Sequence, residues 1–331
     1  MKLVVRGAWQ GEAFERSLEV VRGLHNLRAE HRGCVLTIGN YDGVHCGHQH
    51  MIAAVCDRAR ALGLPATLIT FEPTPREFFQ GSHAPARLMR MREKLEALAY
   101  YGIERVVVLR FDDRMRNLSA AEFETGLLAE RLGVRHMVVG HDFHYARARE
   151  GTIETLRAAG VRHGFDVEQV PPFALDGERV SSSLVREALG KGDLDRAAAL
   201  LGRPYRMTGR VRLGKQLGRT LGFPTANLAL HRQVIPLWGI MAVRVSGAGL
   251  AGHPAVASLG TRPTVDGVEP LLEAHLFDYS GDLYGEHLSV DFVRWLRPER
   301  KFESLDALVA QMHRDAAQAR AVLAAPVVPA A

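Results

Sequence analysis

The sequence has few cysteines, no long apolar run and no block of basic residues. Its only cysteines, Cys34, Cys46 and Cys56, belong to no paired motif and are typical of a reducing cytosol rather than of a disulfide framework. No apolar run approaches the roughly 20 residues needed to span a bilayer. The N-terminal segment carries Glu12 and Glu15 instead of the apolar core of a signal peptide. These absences predict a cytoplasmic protein that neither spans a membrane nor carries a secretory signal.

The charge balance permits anionic ligands without indicating nucleic acid. A net charge of +5 and a pI near 9.3 suit polyanion binding, but basic residues that serve small phosphates would give the same balance. The sequence has neither arginine-rich stretches nor the aromatic motifs of RNA-recognition domains. We therefore expect small-molecule ligands and no nucleic acid. The alternative is a non-catalytic protein that binds nucleotides or RNA in a salt-sensitive manner.

The first half alternates apolar segments with helical ones. With 331 residues, 47% of them apolar, the chain is long enough for two globular domains, and nothing in it indicates an oligomeric state. The apolar segments are 34–40, 65–72, 105–111 and 136–140, and the helical ones are 49–63, 91–102 and 119–133. This α/β rhythm predicts right-handed crossovers and a doubly wound parallel sheet. Ligands of such sheets bind beyond the carboxyl ends of the strands, where 39–48 and 140–151 fall.

The segment TIGNYDGVHCGHQHM, residues 37–51, has the composition of a phosphate site. Gly39 and Gly43 allow a sharp turn after the strand, and His45, Gly47 and His48 then lie at the start of a helix. The free N–H groups and positive dipole of a helix start favour an anion. Two imidazoles with a pKa near neutrality add donors for phosphate oxygens.

Two other interpretations of the histidines stay open at this point. They are compatible with ordinary exposed positions on a helix. Together with Cys46 they also form a His-Cys-Gly-His pattern, but three tetrahedral ligands within four residues are cramped, and no fourth ligand is evident nearby. We favour the phosphate site.

The same segment resembles a known family. GNYDGVHCGH is similar to the nucleotidyltransferase signature of the bifunctional riboflavin kinase/FMN adenylyltransferases, the prokaryotic FAD synthetases. Other segments follow in the order of that family: FEPTPREFF (71–79), RLMRMREK (87–94), VVGHDFHYARAREGT (138–152), VSSSLVREAL (180–189), GRTLGFPTANL (218–228) and RPERKFESLDALVAQMHRDAAQAR (297–320). The resemblance covers roughly residues 22 to 320 and leaves an extended N-terminus unmatched.

The resemblance implies two enzyme domains. These are a Rossmann-like FMN adenylyltransferase domain (1–186), a riboflavin kinase domain (187–322) and, after them, a flexible Ala/Pro-rich tail (323–331). In the first domain the phosphate of FMN would attack the α-phosphorus of ATP directly, giving FAD and pyrophosphate by alignment and charge stabilisation. His45 and His48 would hold ATP phosphate oxygens. The nucleotide- and phosphate-binding residues of the signature would be Gly39, Asp42, Gly43 and Gly47.

A second phosphate-binding segment is expected at SSSLVR. The hydroxyls of Ser181, Ser182 and Ser183 lie at a helix start, with Arg186 one turn later. Serine is also a good N-cap, so capping alone is the structural alternative. An arginine at that spacing favours a pyrophosphate cradle.

The resemblance also places flavin- and nucleotide-side contacts at Asp142 and Phe143. The sequence departs from the family directly afterwards, with Tyr145 for the usual Phe and Ala146 for the usual Gly. We expect this loop to be stiffer than in relatives, because alanine has less backbone freedom than glycine.

The second half has a different pattern. The segment 186–202 is a helical bridge interrupted by Gly190 and Gly192. Short alternating strands then follow without helices between them, at 205–214, 240–247, 253–260, 271–279 and 287–296. They predict a small antiparallel β-barrel, which a C-terminal helix over 304–323 closes.

Two loops of this half compete as the phosphate site. GRVRLGKQ (209–216) nearly fits a P-loop, but Gln216 replaces the hydroxyl that binds magnesium and Gly218 follows where a helix should begin. We reject it in favour of GFPTAN, in which Gly222 and Pro224 shape the loop. Thr225 and Asn227 point the same way if extended and supply hard ligands for the Mg²⁺ of ATP. Without the resemblance, a turn before a strand would explain the same residues.

Glu273 is the expected general base of the kinase. A carboxylate in an otherwise apolar strand is costly to bury unpaired, so it either faces solvent, pairs with an arginine or has a catalytic role. As a base it would accept the proton of the riboflavin 5′-hydroxyl. The family-matching segments also place Asp278, Arg297 and Phe302 around the flavin.

The sequence therefore predicts an enzyme that phosphorylates riboflavin and adenylylates FMN, each with ATP and Mg²⁺. Met241 for the usual Tyr and Ser258 for the usual Asn are expected to alter flavin affinity without abolishing the kinase. The alternative is a chain with one active half, the other half serving as a flavin- or nucleotide-binding module.

Overall fold

The chain folds into two compact units. The computed structural model describes residues 1–9, 12–214, 218, 221–264 and 267–324. The first unit comprises Met1–Trp9, Ala13–Pro85 and Lys94–Val180, and the second is formed mainly by Ala86–Glu93 and the chain from Ser181 onward. The predicted domain boundary between residues 186 and 187 stays a prediction, and residues 325–331 of the predicted tail lie outside the described residues.

The first unit is built on a seven-stranded sheet, which confirms the predicted doubly wound architecture. Its strands are β1 (Lys2–Trp9), β2 (Glu12–Arg22), β3 (Cys34–Ile38), β4 (Ala66–Phe71), β5 (Arg105–Leu109), β6 (Val134–Gly140) and β7 (Asp166–Val170), in the order β1-β2-β5-β4-β3-β6-β7. Each neighbouring pair from β2 to β7 is parallel. The apolar residues of β3, β4 and β5 are buried almost without interruption, as expected of strands with both faces covered.

The strand order places a crevice beside β3. Successive strands run from β3 to β4 and β5 on one side, and the chain then returns to β6 and β7 on the other. The order therefore reverses between β3 and β6, the place where open α/β sheets bind ligands. The segments that follow these two strands are 39–45 and 141–151.

Three of the six longer helices described in this unit lie where the apolar periodicity predicts them. The six are Cys46–Leu62, Pro75–Gln80, Met91–Tyr100, Asp113–Arg116, a π-helix over Glu122–Arg131, and Ile153–His163. The first begins three residues earlier than predicted. It ends at Gly63, whose φ of 64° is left-handed, as at many helix C-termini. The sequence prediction missed the strands β1, β2 and β7 and the helices Pro75–Gln80, Asp113–Arg116 and Ile153–His163.

The second unit confirms the predicted barrel. The helical bridge consists of Ser182–Gly190 and Leu194–Leu201. Six strands follow: β10 (Tyr205–Arg212), β11 (Ala226–Ala229), β12 (Gly239–Gly247), β13 (Leu250–Thr264), β14 (Gly267–Leu276) and β15 (His287–Arg297). They close in the order β10-β11-β14-β13-β12-β15, with every neighbouring pair antiparallel. A two-stranded ribbon, β8 (Ala174–Leu175) with β9 (Glu178–Arg179), precedes the bridge.

Side chains alternate between the two faces of the barrel wall. On β14, Leu272 and Ala274 are fully buried, whereas Glu273 and His275 between and after them are only half-buried. The C-terminal helix, Leu305–Ala324, packs its Ala319 and Leu323 against Ala242 and Phe277, and so covers part of the outer face. The strand β11 was not predicted as a separate strand, and Lys215 and Gln216 of the rejected P-loop pattern lie outside the described residues. Within the described ranges, no helix is long and apolar enough to cross a membrane.

A buried ion pair holds the segment Ala86–Glu93 against the barrel. The Glu93 carboxylate pairs with Arg232, and both side chains are only 3% exposed. The same carboxylate accepts hydrogen bonds from the backbone N–H of Thr208 at 2.9 Å and from its hydroxyl at 3.1 Å. The hydroxyl of Tyr205 donates to the carbonyl oxygen of Leu88 at 3.0 Å. Removing one partner of such a pair leaves an uncompensated buried charge.

We expect Glu93→Ala to destabilise the second unit by roughly 3–5 kcal/mol, because Arg232 would lose its buried counter-ion. Urea unfolding followed by tryptophan fluorescence and circular dichroism measures the shift. Glu187→Ala is the matched control, since it removes the exposed pair of Glu187 with Lys191 and should leave the midpoint unchanged. Equal midpoints for the two variants would contradict the assigned role of the Glu93 pair.

Candidate functional site

The structure brings His45 and His48 together at the start of the helix Cys46–Leu62. His45 is the N-cap residue, and its Nδ1 accepts a hydrogen bond from the backbone N–H of His48 at 3.3 Å. The two rings stack with a centroid distance of 3.7 Å and an interplanar angle of 17°. Because Nδ1 accepts, the neutral His45 ring carries its proton on Nε2. The positive end of the helix dipole beside this ring favours an anion.

The turn before the helix is conformationally strained. Tyr41 (φ 47°), Gly43 (φ 87°) and Val44 (φ 42°) are all left-handed, which for a β-branched residue such as Val44 is a rare conformation. For the non-glycine residues Tyr41 and Val44 such backbone costs of order 1–3 kcal/mol each, and it is concentrated at ligand sites. A Cβ on Gly47 would lie 3.3 Å from the His45 ring. The absence of a side chain at Gly47 therefore leaves room for that ring.

His48 is held as a neutral imidazole. Burial lowers its pKa well below the usual value, and the charges of His45 and Lys94 lower it further. Among the described residues, its Nδ1 is buried without a hydrogen-bond partner, and the Tyr41 ring lies at a centroid distance of 4.7 Å. The prediction that both imidazoles titrate near neutrality is therefore wrong for His48, because burial disfavours the charged form.

Lys94 is a buried cation near this site that the sequence prediction missed. Its side chain is almost fully buried, and its Nζ donates to the hydroxyl of Thr70 at 3.5 Å. Thr70 in turn donates to the carbonyl oxygen of Asn40 at 3.4 Å, in the turn that follows β3. The signal in the sequence was a lysine four residues before the buried Leu98, on the apolar stripe of its helix.

The serine segment is a helix start, as predicted. Ser181 is the N-cap of the helix Ser182–Gly190 and accepts from the backbone N–H of Leu184 at 3.3 Å, which confirms a capping role for this residue. The guanidinium of Arg186 donates to the carbonyl oxygens of Ala86 at 2.6 Å and of Ser182 at 3.1 Å. The pyrophosphate cradle of Ser181, Ser182, Ser183 and Arg186 stays a prediction.

The loop after β6 is tied to the body of the first unit through Tyr145. Its hydroxyl donates to the Glu124 carboxylate, which also pairs with Arg162 at 2.7 Å. The Tyr145 ring stacks on Phe143 with a centroid distance of 5.7 Å. A phenylalanine at this position would lack the hydrogen bond, so Tyr145 stabilises this conformation of the loop.

Asp142, in the same loop, forms an ion pair with Arg179 at 2.9 Å. Burial raises the pKa of Asp142, but the hydrogen bond and charge of Arg179 outweigh it, so the pKa lies below the usual value. Asp142 is therefore a carboxylate at neutral pH.

An aromatic cluster lies at the carboxyl ends of β4 and β5, and the sequence prediction gave it no role. Phe111 contacts Phe71, Phe78 and Phe79 with ring-centroid distances of 5.6, 5.4 and 5.7 Å. Phe79 is 61% exposed, and the guanidinium of Arg116 lies 5.8 Å from its ring centroid. An exposed aromatic surface with a cation beside it suits a planar aromatic ligand.

In the barrel, the predicted kinase residues form a row on the outer face. Asn227 of β11 is the direct cross-strand neighbour of Glu273 on β14, and Glu273 is the neighbour of Ser258 on β13. Directly opposite residues of antiparallel strands point to the same face. Thr225 lies immediately before β11, two residues from Asn227.

Two cavities of the second unit meet at this row. One, of about 730 Å³, is lined by Thr225, Asn227 and Glu273 together with Arg297 and Phe302, and residues of the C-terminal helix form another wall. The other, of about 720 Å³, is lined by Thr225 and Asn227 again, by Pro224 and by the loop from Tyr279 to Tyr284. Thr225 and Asn227 line both cavities. Gly222, which was also predicted to bind phosphate, lines neither cavity. Its φ is 80°, and no atom lies within 4 Å of the place that a Cβ would occupy.

The amide of Asn227 is held close to the backbone. A Cβ on Gly214 would lie 2.6–2.7 Å from the amide atoms of Asn227, so a larger residue there would displace this amide. The Asn227 Nδ2 donates to the carbonyl oxygen of Thr225 at 3.4 Å. Its oxygen is thereby turned away from that carbonyl and is the atom suited to a cation.

Arg297 and Phe302 lie in the larger cavity, and Asp278 does not. Arg297 donates two hydrogen bonds to Asp315 of the C-terminal helix, at 2.8 and 2.6 Å, and lies 5.8 Å from the Phe302 ring centroid. Asp278 instead forms a two-point ion pair with Arg320 of the same helix, at 2.6 and 2.8 Å. Its predicted contact with flavin therefore has no support in this arrangement.

The barrel accommodates its two departures from the family pattern, Ser258 and Met241, in different ways. The hydroxyl of Ser258 donates to Glu299 at 2.8 Å, so a polar group still lines the cavity. Met241 is fully buried, where its apolar side chain packs without an unsatisfied polar atom.

Ala146→Gly should stabilise the first unit. Ala146 has φ 65° and ψ −177°, a backbone region essentially restricted to glycine, with a cost of order 1–3 kcal/mol. After the entropy that glycine adds to the unfolded chain, we expect a net gain of about 1 kcal/mol in urea unfolding. Ala148→Gly is the control, because Ala148 (φ 49°, ψ 19°) is in the milder left-handed region and should gain less. A lower free energy of unfolding in Ala146→Gly than in the wild type would contradict backbone strain at Ala146.

His48 should make the first unit less stable in acid. The unfolded chain binds a proton at His48 as pH falls through about 6.5, whereas the folded chain does not, because its pKa is depressed. The contribution of neutral His48 to the free energy of unfolding is thus complete above pH 6.5. Below that pH it falls by up to about 1.4 kcal/mol per pH unit. Urea unfolding at pH 7, 6 and 5 should show a shallower loss in His48→Gln. Parallel pH dependence of variant and wild type would contradict a depressed pKa.

Comparisons with known proteins agree with this geometry. The FAD synthetase family model matches residues 27–184 and the riboflavin kinase model residues 201–323. The bifunctional riboflavin kinase/FMN adenylyltransferase of Pseudomonas fluorescens is 51% identical over 310 residues, covering 93% of this chain and 99% of that protein. The protein of the same name from Escherichia coli K12 is 46% identical over 304 residues, 92% of this chain and 97% of that protein.

A solved structure has the same fold over nearly the whole chain. It is described as a macrolide-efflux protein from Streptococcus pneumoniae and is 29% identical, with a TM-score of 0.79 and coverage of 90% of this chain and 97% of that one. Both family models and the near-complete coverage of the curated relatives lead to one assignment. The chain belongs to the family of bifunctional riboflavin kinase/FMN adenylyltransferases.

Proposed function

We propose that the chain converts riboflavin into FAD in two ATP-dependent steps at two separate sites. The second unit transfers the γ-phosphoryl group of ATP to riboflavin, giving FMN and ADP. The first unit joins the AMP part of a second ATP to FMN, giving FAD and pyrophosphate. The observation that carries the proposal is the row on the barrel face, where Thr225, Asn227 and Glu273 line one cavity with Arg297 and Phe302.

The kinase step needs one base and two bound substrates. Glu273 accepts the proton of the riboflavin 5′-hydroxyl as that oxygen bonds to the γ-phosphorus, and the bond between the γ-phosphorus and the bridging oxygen of ADP breaks. Its position in the lining of the larger cavity, as the cross-strand neighbour of Asn227, supports this role. Since its strand alternates, the carboxylate lies outside the apolar barrel core and avoids the cost of full burial.

The two cavities suit the two substrates. The larger one offers an apolar surface that includes Val256 and Met312, with the Phe302 ring at its edge, and we assign it to the isoalloxazine ring of flavin. The neighbouring cavity, beside the loop from Tyr279 to Tyr284, then receives ATP. Because Thr225 lines both, it lies where the γ-phosphate and the 5′-hydroxyl meet.

The residues fit a magnesium ion that arrives with ATP. Thr225 and Asn227 provide neutral oxygen ligands, and no cluster of three His, Cys, Asp or Glu side chains that would hold a metal occurs within the described part of the chain. Magnesium commonly binds through few protein oxygens together with substrate phosphates. When bound, it neutralises charge on the transferred phosphoryl group.

The adenylyl step uses the histidine turn. A phosphate oxygen of FMN attacks the α-phosphorus of ATP, and pyrophosphate leaves. His45 and His48 donate hydrogen bonds to phosphate oxygens at the positive end of the helix. The aromatic cluster of Phe71, Phe78, Phe79 and Phe111 is our candidate surface for the flavin ring of FMN.

We further propose a cytoplasmic enzyme whose ligands are small molecules rather than nucleic acid. The structure holds Cys34, Cys46 and Cys56 as thiols, the form that a reducing compartment maintains. ATP, riboflavin and FMN then come from the same compartment.

Two variants separate the activities. Glu273→Gln should lower FMN formation from riboflavin by about 100-fold or more and leave FAD formation from supplied FMN unchanged. His48→Ala should lower FAD formation by about 100- to 1000-fold and leave FMN formation unchanged. Chromatography of FMN and FAD after incubation with ATP and Mg²⁺ measures both steps.

The outcomes discriminate the alternatives. Wild-type protein that performs only one of the two steps would support a chain with one active half. A variant that loses both steps would refute separate sites. Salt-sensitive RNA binding without turnover would favour the non-catalytic alternative.

A further inference from the structure

His275 lies beside the kinase row and has no role in the chemistry described so far. It follows Glu273 by two residues on β14, so both side chains point to the outer face of the barrel. Both line the larger cavity. The Nδ1 of His275 lies 2.8 Å from the carbonyl oxygen of Pro224. A carbonyl oxygen only accepts, so Nδ1 carries the proton and donates it.

This hydrogen bond acts on the loop that carries Thr225. The carbonyl of Pro224 and the N–H of Thr225 belong to one planar peptide unit, and the proline ring restricts φ on the other side. Holding the carbonyl oxygen therefore holds the plane from which the Thr225 side chain starts. Thr225 is the residue that lines both cavities, so its orientation matters to both substrates.

The His275 ring is itself held by aromatic neighbours. Phe223 lies at a centroid distance of 5.0 Å and Phe277 at 5.9 Å. His313 of the C-terminal helix packs edge-on against Phe223 at 4.8 Å. The His275 ring therefore packs between Phe223 and Phe277 while its Nδ1 contacts the Pro224 carbonyl oxygen.

We propose that His275 is a positioning residue for phosphoryl transfer. Its Nδ1–H holds the Pro224 carbonyl and thereby orients the Thr225 hydroxyl toward the γ-phosphate and its Mg²⁺. His275 acts through the loop, whereas Glu273 acts on the substrate hydroxyl. The proposal rests on the kinase function proposed for this unit.

Three substitutions test the role through geometry. The side-chain nitrogen of asparagine is as many bonds from Cα as Nδ1 of histidine, whereas that of glutamine is one bond farther. We expect His275→Ala and His275→Gln to lower kcat for FMN formation by about tenfold. Each variant loses one hydrogen bond, and a loss of about 1.4 kcal/mol corresponds to a factor of ten. His275→Asn should stay within about twofold of wild type. His275→Ala should also need several-fold more Mg²⁺ for half-maximal rate.

The same protein supplies the controls. FAD formation from supplied FMN should be unchanged in all three variants, because it occurs in the first unit, and the thermal midpoints show that each variant folds. The inference is overturned if His275→Ala equals wild type in kcat and Mg²⁺ dependence. It is also overturned if His275→Asn is no better than His275→Ala at equal stability. Wild-type protein without riboflavin phosphorylation would instead overturn the proposed kinase function.

Discussion

The negative charge of a triphosphate is the constraint on which both sites depend. The first unit meets it with groups that are fixed before the ligand arrives: a helix N-terminus and two stacked imidazoles, one of them kept neutral by burial. Fixed dipoles need no reorganisation when charge develops. The barrel offers neutral oxygens from Thr225 and Asn227 instead, and relies on a cation to complete the charge balance. On the proposed function, the two halves of the chain bind ATP by different physical means.

Strand alternation explains why a carboxylate is tolerated in an apolar barrel. Leu272 and Ala274 fill the interior, and Glu273 between them necessarily points outward. The C-terminal helix then covers the outer face and turns an exposed position into the wall of a cavity. The same helix supplies Asp315 to Arg297, which lines the larger cavity, and Arg320 to Asp278, which lies outside it. The larger cavity therefore depends on a helix that begins at Leu305, more than thirty residues after Glu273.

Local sequence patterns predicted the architecture well, because apolar periodicity shows which face of a strand or helix is buried and glycine marks turns. Apolar alternation identified the sheet and the barrel, and the glycine–histidine motif lies, as predicted, at a helix start after β3. The Thr225–Asn227 and Glu273 positions came together as expected, since their strands are neighbours.

What the sequence could not predict depends on distant partners. The depressed pKa of His48 requires burial and the charge of Lys94, and Asp278 is drawn away from the larger cavity by Arg320. The strands β1 and β2 lie beyond the matched family segments and lack a strong apolar period. His275 carried a local signal, its spacing of two from Glu273, but its partner Pro224 is 51 residues away.

A crystal structure of the chain with riboflavin, Mg²⁺ and a non-hydrolysable ATP analogue tests the two-site assignment most directly. We expect one nucleotide with its phosphates against His45 and His48, and a second with its γ-phosphate and metal at Thr225 and Asn227 beside a bound flavin. Density for nucleotide at only one of these places, or flavin bound away from Glu273, would contradict it.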